Sequence, residues 1–285
     1  MDKVNAHDLV RLKREATPIV CITAYDFPTA AVVEESGVDL VLVGDTLGMV
    51  VQGHDTTLGV TVDDVVYHLR MVRRALRRPL LVGDMPFMSF QESDEATMAN
   101  VGLMVKDGGA EAVKLEGARP ETLRRVKMIV GAGIPVMGHL GYTPQSVHYF
   151  GRHIVRGKTV AQARVLLEHA RALEDAGCFS VVLEMVPRQL AGLISRSLTI
   201  PTIGIGSGVE CDGQILVLHD LVGFYRGYTP KFVRRLADVT QTMREAVTEY
   251  GELVRSGAYP GEAESVPLTD EVWEEISRLA EPPEE

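Results

Sequence analysis

The chain has 285 residues, 46% of them hydrophobic, which is enough to bury the core of a large α/β barrel in one domain. Its formal net charge of -10 argues against a nucleic-acid partner, because binding a phosphate backbone needs clustered lysines and arginines. The three cysteines form no CxxC pair, and neither a signal-peptide core nor a run of roughly 18 apolar residues is present. We therefore expect a cytoplasmic protein that has no membrane partner.

Short apolar runs alternate with helix-like stretches along most of the chain, a pattern typical of parallel βα units. Eight strands are predicted to begin near residues 19, 40, 80, 112, 135, 181, 201 and 214. Apolar residues recur at helical spacing over residues 62–76, 94–106, 121–130 and 160–176. The pattern predicts an α/β fold, specifically a (β/α)8 TIM barrel, in a single domain over residues 1–285 with an acidic C-terminal extension at 266–285.

Two segments fall outside this alternation. The connection at residues 141–157 is unusually long and is interpreted as either a functional lid or a packed surface excursion. The C-terminal extension carries apolar residues at helical spacing, namely Val272, Trp273, Ile276 and Leu279. We expect a short helix there, docked on the body or on a neighbouring subunit, followed by a disordered end at residues 282–285.

Four acidic residues each lie within a residue or two of the end of a predicted strand: Asp45, Asp84, Glu116 and Glu184. Carboxylates at the C-terminal ends of barrel strands converge on one face, where they can hold a metal or move protons. The oxygen donors of Asp45, Asp84 and Glu116 suit a hard ion, Mg²⁺ before Zn²⁺. An isolated aspartate in this position is more often a helix N-cap, but the repetition at three strand ends favours a metal site.

Lys114 and Glu116 are two residues apart on a strand and should share one face of it. Because burying both charges is costly, they should be paired with each other, a metal or a substrate; a purely structural ion pair is the alternative. An apolar setting for Glu184 would raise its pKa and make it a proton acceptor, although it could equally cap the helix after Pro187.

Two further strand ends carry weaker signals. His139 is interpreted first as a hydrogen-bonded core residue and second as a substrate contact. The glycine-rich loop at residues 204–208 offers room for a ligand, while the acids Glu210 and Asp212 that follow it argue against a phosphate site.

Ordered motifs from about residue 12 to residue 261 resemble the ketopantoate hydroxymethyltransferase family. They lie at residues 22–26, 43–49, 52–55, 84–87, 114–117, 138–141, 143–146, 204–208, 212–214 and 259–261. The resemblance implies a barrel of the phosphoenolpyruvate/pyruvate superfamily and a homodecameric assembly. It also implies one Mg²⁺ per subunit at Asp45, Asp84 and Glu116, 2-oxo acid contacts from Asp45, Thr46, Asp84 and Lys114, and Glu184 as the proton acceptor. Thr46 stands where the family usually has serine.

The activity implied by the resemblance is transfer of a hydroxymethyl group from 5,10-methylenetetrahydrofolate to 3-methyl-2-oxobutanoate. The product would be 2-dehydropantoate, in pantothenate and coenzyme A biosynthesis, formed through an Mg²⁺-stabilised enolate with Glu184 as base. One rival is a C–C or P–C lyase or mutase of the same superfamily, but the Lys-Cys-Gly-His-like loop of such enzymes is absent from this sequence. The second rival function is a catalytically silent binder of 2-oxo acids, and the presence of Glu184 as a candidate base argues against it.

Overall fold

The computed structural model describes residues 2–151, 155–225, 227 and 229–279. Within this part of the chain, eight parallel strands pair in sequence order, and the eighth pairs with the first to close a barrel. The strands are β1 (Ile19–Thr23), β2 (Leu40–Val43), β3 (Leu80–Asp84), β4 (Ala112–Glu116), β5 (Val136–Gly141), β6 (Ser180–Glu184), β7 (Thr202–Ile205) and β8 (Gly213–Leu216). The predicted (β/α)8 barrel is confirmed, and each strand begins within about a residue of its predicted start.

Helices occupy most of the connections between strands. They are α1 (Ala6–Arg14), α2 (Phe27–Glu35), α3 (Leu47–Val50), α4 (Val62–Ala75), α5 (Asp94–Gly102), α6 (Pro120–Gly131), α7 (Val147–Phe150), α8 (Val160–Asp175), α9 (Arg188–Ser197), α10 (Leu218–Leu221), α11 (Val239–Ser256) and α12 (Asp270–Leu279). The four helical stretches that the apolar spacing predicts correspond to α4, α5 with its π-helical continuation, α6 and α8. None of the described helices is both long and apolar enough to cross a bilayer.

Local capping explains where the helices of the outer layer begin. At the start of α4, Thr61 Oγ1 accepts a hydrogen bond from the Asp64 N–H, and the Asp64 carboxylate accepts one from the Thr61 N–H. At the start of α2, Asp26 Oδ1 accepts from the Thr29 N–H at 2.8 Å. These side chains satisfy backbone donors that the first helical turn leaves without partners.

Successive side chains along most of the strands belong to two different hydrophobic clusters, one inside the barrel and one between the barrel and the helices. Leu80 and Val82 of β3 point into the barrel, where Leu9 of α1 packs among the inward residues. Leu81, between them, packs against the surrounding helices. Since side chains alternate along a strand, the next inward position of β3 is Asp84, at the C-terminal rim. Polar groups are thereby collected above an apolar barrel interior.

The connection from β7 to β8 departs from the βα pattern because residues 206–212 contain no helix. Seven extended residues span roughly 23–25 Å, which suffices to return to the other end of a short strand. The two acids of this segment have cationic partners, since Glu210 pairs with Arg196 and Asp212 with Lys13. Asp212 directly precedes β8 and therefore lies at the N-terminal end of the barrel, away from the glycine loop.

The chain divides into two compact units, Met1–Leu236 and Ala237–Glu285. The first contains the barrel. In the second, α11 begins after its N-cap Asp238 and ends at Ser256, before its C-cap Gly257, and α12 is the helix predicted for the C-terminal extension. The single-domain organisation and the docking of α12 stay predictions. The predicted disorder at residues 282–285 concerns positions outside the described residues.

Candidate active site

Lys114 and Asp84 form an ion pair at the C-terminal ends of β4 and β3. The strand register places the two residues opposite each other, and Lys114 Nζ lies 2.7 Å from Asp84 Oδ1. Both side chains are buried, at 7% and 2% exposure. Glu116 follows on the same face of β4, as the two-residue spacing predicts, but the close partner of Lys114 is Asp84. The sequence analysis left Glu116, a metal or a substrate open as the partner of Lys114. The structure adds Asp84, because the register between β3 and β4 sets this contact.

Asp45 directly follows Gly44 after the end of β2 and contacts β3 and the segment that follows β5. Its backbone N–H donates to Asp84 Oδ2 at 3.1 Å, and its own Oδ2 accepts from Gln145 Nε2 at 3.0 Å. The helix that follows, α3, has Thr46 as its N-cap without a side-chain cap bond. Asp45 is therefore not the N-cap of that helix, and the partly buried Thr46 stands beside it at the rim.

Glu116 is held by the segment that follows β5. Its Oε2 accepts from the backbone N–H of Gln145 at 3.3 Å, and its Oε1 accepts from Ser146 Oγ at 3.3 Å. On its other side, His139 Nδ1 lies 3.8 Å from Glu116 Oε2. The long connection at residues 141–157 thus begins with side chains that reach the predicted metal ligands.

Glu184 ends β6, and its carboxylate lies 3.2 Å from His139 Nε2. Its side chain is 17% exposed, whereas that of His139 is 4% exposed. The helix that follows, α9, begins after Pro187 as its N-cap, so Glu184 does not cap it. The Glu184 carbonyl accepts from the Tyr142 N–H at 2.8 Å, which fixes the backbone at this point. His139 is the imidazole between Glu116 and Glu184.

Burial gives these groups unusual proton affinities. It raises the pKa of Asp84 to about 7 and, together with the nearby Asp45 charge, raises the pKa of Glu116 to about 8. Burial alone would lower the pKa of Lys114, but the Asp84 and Asp45 carboxylates outweigh it and the pKa lies above its usual value. Burial and Lys114 lower the pKa of His139 well below its usual value, so the imidazole is neutral near pH 7.

The donor set fits a hard divalent cation. Three buried carboxylates, those of Asp45, Asp84 and Glu116, surround one ammonium. The pKa values of Asp84 and Glu116 are raised first by burial and then by the neighbouring Asp45 charge, and a bound cation would oppose both effects. No cluster of three or more histidine, cysteine, aspartate or glutamate side chains stands ready to hold a metal among the described residues. Mg²⁺ does not require such a cluster, because it retains several waters and uses one or two carboxylates directly. The residues present therefore suit Mg²⁺ bound partly through water.

Sequence reasoning missed the contacts of Gln145 and Ser146. Both belong to a 3₁₀ segment, Pro144–Ser146, inside the long connection. The sequence signals for them were the length of that connection, its position after a strand end and the family motif at residues 143–146, none of which gave these residues a role. The contact between His139 and Glu184 was also not predicted, because His139 was first interpreted as a core histidine.

The family model for ketopantoate hydroxymethyltransferase matches residues 3–262. The 3-methyl-2-oxobutanoate hydroxymethyltransferase of Acetivibrio thermocellus is 46% identical over 278 residues, which cover 98% of both chains. That of Carboxydothermus hydrogenoformans is 48% identical over 276 residues, 97% of this chain and 100% of the relative. The chain belongs to the ketopantoate hydroxymethyltransferase family. It is therefore an enzyme, a hydroxymethyltransferase.

Solved structures of more distant proteins share the barrel of this hydroxymethyltransferase. A phosphonopyruvate hydrolase in complex with oxalate and Mg²⁺ is 12% identical with a TM-score of 0.60, over 97% of this chain and 96% of the other. A 2,3-dimethylmalate lyase, described as a PEP mutase/isocitrate lyase superfamily member, is 15% identical with a TM-score of 0.58, over 96% and 98%. These likenesses confirm the predicted barrel fold, and at such low identity they show the fold alone.

Proposed function

We propose that this hydroxymethyltransferase moves one carbon from 5,10-methylenetetrahydrofolate to C3 of 3-methyl-2-oxobutanoate. Water supplies the hydroxyl oxygen, and the products are 2-dehydropantoate and tetrahydrofolate, as in pantothenate and coenzyme A biosynthesis. Relatives 46–48% identical over nearly the whole chain carry the name of this acceptor. The observation that carries the mechanism is that Asp84, Lys114, Glu116 and Glu184 end three strands at one rim, with an ammonium among the carboxylates.

Binding of the acceptor requires a local cation, because the substrate is an anion and the chain has a net charge of -10. Lys114 supplies one, since its raised pKa keeps the ammonium protonated at neutral pH. Thr46 offers a hydroxyl beside Asp45, and its additional methyl group narrows the pocket relative to serine. Asp45 and Asp84 complete the contacts that we assign to the 2-oxo acid.

Asp45, Asp84 and Glu116 would hold Mg²⁺, directly or through water. When bound, the ion would supply positive charge that polarises the oxo group and acidifies the C3–H bond. The phosphonopyruvate hydrolase that shares this barrel fold was solved in complex with oxalate and Mg²⁺, which supports the choice of ion.

Glu184 is the residue that we assign as general base. Its partly exposed carboxylate can reach a ligand, while the neutral imidazole of His139 lies 3.2 Å away and cannot give it a proton readily. Glu184 takes the C3 proton, and Lys114 stabilises the negative charge that develops on the oxo oxygen. The electrons of the broken C–H bond form the new bond to the one-carbon unit. The two C–N bonds that held this carbon break with their electrons left on the folate nitrogens, which end with the C3 proton and a proton from the water that supplies the hydroxyl.

The proposal is tested by incubating the protein with Mg²⁺, 3-methyl-2-oxobutanoate and 5,10-methylenetetrahydrofolate. We expect 2-dehydropantoate by chromatography and, in D₂O, exchange of the C3 hydrogen by NMR. A lyase or mutase would instead cleave or rearrange its substrate, and a silent binder would bind the acid without exchange. Absence of both product and exchange would exclude the proposed reaction.

A further inference from the structure

Gln145 connects three of the rim segments that carry the site. Its side-chain Nε2 donates to Asp45 Oδ2 and to the carbonyl oxygen of Met85, each at 3.0 Å. Its backbone N–H donates to Glu116 Oε2 at 3.3 Å. The residue is 5% exposed. One buried residue therefore fixes two carboxylates that come from different strands, β2 and β4.

The chemistry of the amide suits this position. An amide donates hydrogen bonds without adding charge, whereas an ammonium in its place would neutralise Asp45, as Lys114 neutralises Asp84, and would compete with a cation. A carboxylate would repel Asp45. Because the two amide hydrogens are directed to fixed oxygens of Asp45 and Met85, they restrict the rotation of the Asp45 carboxylate.

The backbone around Gln145 is itself constrained. Pro144 begins the 3₁₀ segment, and the Ser146 N–H donates to the Thr143 carbonyl at 3.0 Å. Ser146 Oγ adds a second contact to Glu116 at 3.3 Å. These contacts fix the backbone position of Gln145 relative to Glu116, so its side chain can hold Asp45 in one orientation.

We propose that Gln145 is a positioning residue for the divalent cation: it orients Asp45 and Glu116 so that the remaining lone pairs of their carboxylate oxygens can bind the ion, and through the ion the 2-oxo acid. This inference rests on the proposed function, which assigns the metal to these carboxylates. Hydrogen-bond partners behind metal ligands commonly change metal affinity about 10- to 100-fold when they are removed.

The test is a titration of the purified chain with Mn²⁺, followed by electron paramagnetic resonance of the free ion, without substrate. Gln145→Met keeps the side-chain length and removes both donors, and we expect Mn²⁺ affinity about 10- to 100-fold weaker than in the wild type. The melting temperature in chelator should fall, because two buried acceptors lose their donor, so affinities are compared at a temperature where both proteins are folded. With Mg²⁺, the KM for the 2-oxo acid should rise.

The matched control is Gln162→Met. The Gln162 side chain accepts from the N–H groups of Gly157 and Lys158, each at 3.2 Å, in the same connection between β5 and α8. It does not contact the carboxylates, so this variant should bind Mn²⁺ as the wild type does. If Gln145→Met does not fold, Gln145→Asn takes its place, because the amide withdrawn by one methylene group should also lose at least tenfold in affinity.

A double-mutant cycle separates positioning from a general structural role. In an Asp45→Asn background, Gln145→Met should add little further loss, because its effect acts through that carboxylate. Additive losses, or Mn²⁺ affinity unchanged in Gln145→Met while the wild type binds the ion, would overturn the positioning role and leave the proposed function intact. A wild-type chain that binds neither Mn²⁺ nor Mg²⁺ would overturn the metal assignment and this inference together.

Discussion

The Lys114 ammonium lies 2.7 Å from the Asp84 carboxylate, with both side chains buried at the ends of adjacent strands. Removing one partner of a buried pair leaves the other charge without compensation, which typically costs about 3–5 kcal/mol. Lys114→Met should therefore raise the pKa of Asp84 further and lower the melting temperature.

The same variant should lose at least about 100-fold in kcat/KM, because the cation assigned to the 2-oxo acid is gone. Differential scanning calorimetry and steady-state kinetics measure the two effects. Lys114→Arg retains the positive charge, so it should be more stable than Lys114→Met. Its larger head group should still reduce kcat/KM relative to the wild type. A Lys114→Met protein with the wild-type KM for the 2-oxo acid would remove Lys114 from substrate binding.

Replacing Glu184 should separate proton transfer from binding. Glu184→Gln keeps the shape of the side chain but cannot accept the C3 proton, so exchange of C3–H should fall about 100- to 10,000-fold. Binding of Mg²⁺ and of 3-methyl-2-oxobutanoate should be spared. NMR in D₂O measures the exchange, and calorimetric titration measures binding.

Asp84→Ala is the contrasting variant, because Asp84 contacts both Lys114 and the Asp45 backbone. It should weaken metal and 2-oxo acid binding together. Exchange at the wild-type rate in Glu184→Gln would assign the base to another residue.

Stability of the metal-free chain should depend on pH. Burial raises the pKa of Asp84 to about 7 and that of Glu116 to about 8, whereas both acids have a pKa near 4 in an unfolded chain. The folded chain therefore binds more protons than the unfolded chain between about pH 4 and pH 8, and its stability falls as the pH rises through this window. A divalent cation that replaces these protons should bind more tightly at pH 8 than at pH 6.

Melting temperatures in chelator and in Mg²⁺, each at pH 6 and pH 8, measure this linkage. The gain from Mg²⁺ should be larger at pH 8. An equal gain at both pH values would show that the ion does not displace protons from these carboxylates.

The barrel and most of its rim acids could be predicted because they follow local rules. A period of two places Asp84 and Glu116 on the inward face of their strands, and apolar runs mark where those strands end. The partner of Lys114 could not be predicted in this way, because register between strands depends on barrel geometry. Gln145 and Asp45 are 100 residues apart in the sequence. Their contact depends on the path of an irregular connection, and such a segment has no hydrophobic periodicity from which its path could be predicted.

The opposite end of the barrel should affect stability without affecting catalysis. There, Lys13 Nζ contacts Asp212 Oδ2 at 2.8 Å and the Ser195 carbonyl at 2.7 Å, and Asp212 accepts from Thr202 N at 2.8 Å. Lys13→Met should cost about 1–3 kcal/mol of unfolding free energy, from lost hydrogen bonds to charged groups. Because this pair lies at the N-terminal ends of β7 and β8, kcat/KM should not change. Denaturant unfolding and kinetics test this, and a large loss of kcat/KM in a folded variant would contradict it.

Gly141, at the start of the long connection, packs closely against the backbone of Glu184, the proposed base. It ends β5 with φ of 101°, and a Cβ built there would meet the Glu184 carbonyl oxygen and lie 2.8 Å from Val186 Cγ2. The register pairs Gly141 with Glu184, two residues after His139. Gly141→Ala should therefore push β5 and β6 apart at the rim, and a displacement of about 1 Å at a catalytic group can cost about 100-fold in rate.

We expect C3–H exchange in Gly141→Ala to fall at least about tenfold, beyond any loss of stability. The control is Gly133→Ala, since Gly133 has φ of 85° but no heavy atom within 4 Å of a Cβ built there. That variant should lose about 1–2 kcal/mol from left-handed backbone strain alone and keep its exchange rate. NMR exchange rates normalised to folded protein distinguish the two. If both glycine variants exchange C3–H at the wild-type rate, the close packing of Gly141 on Glu184 is not needed to position the base.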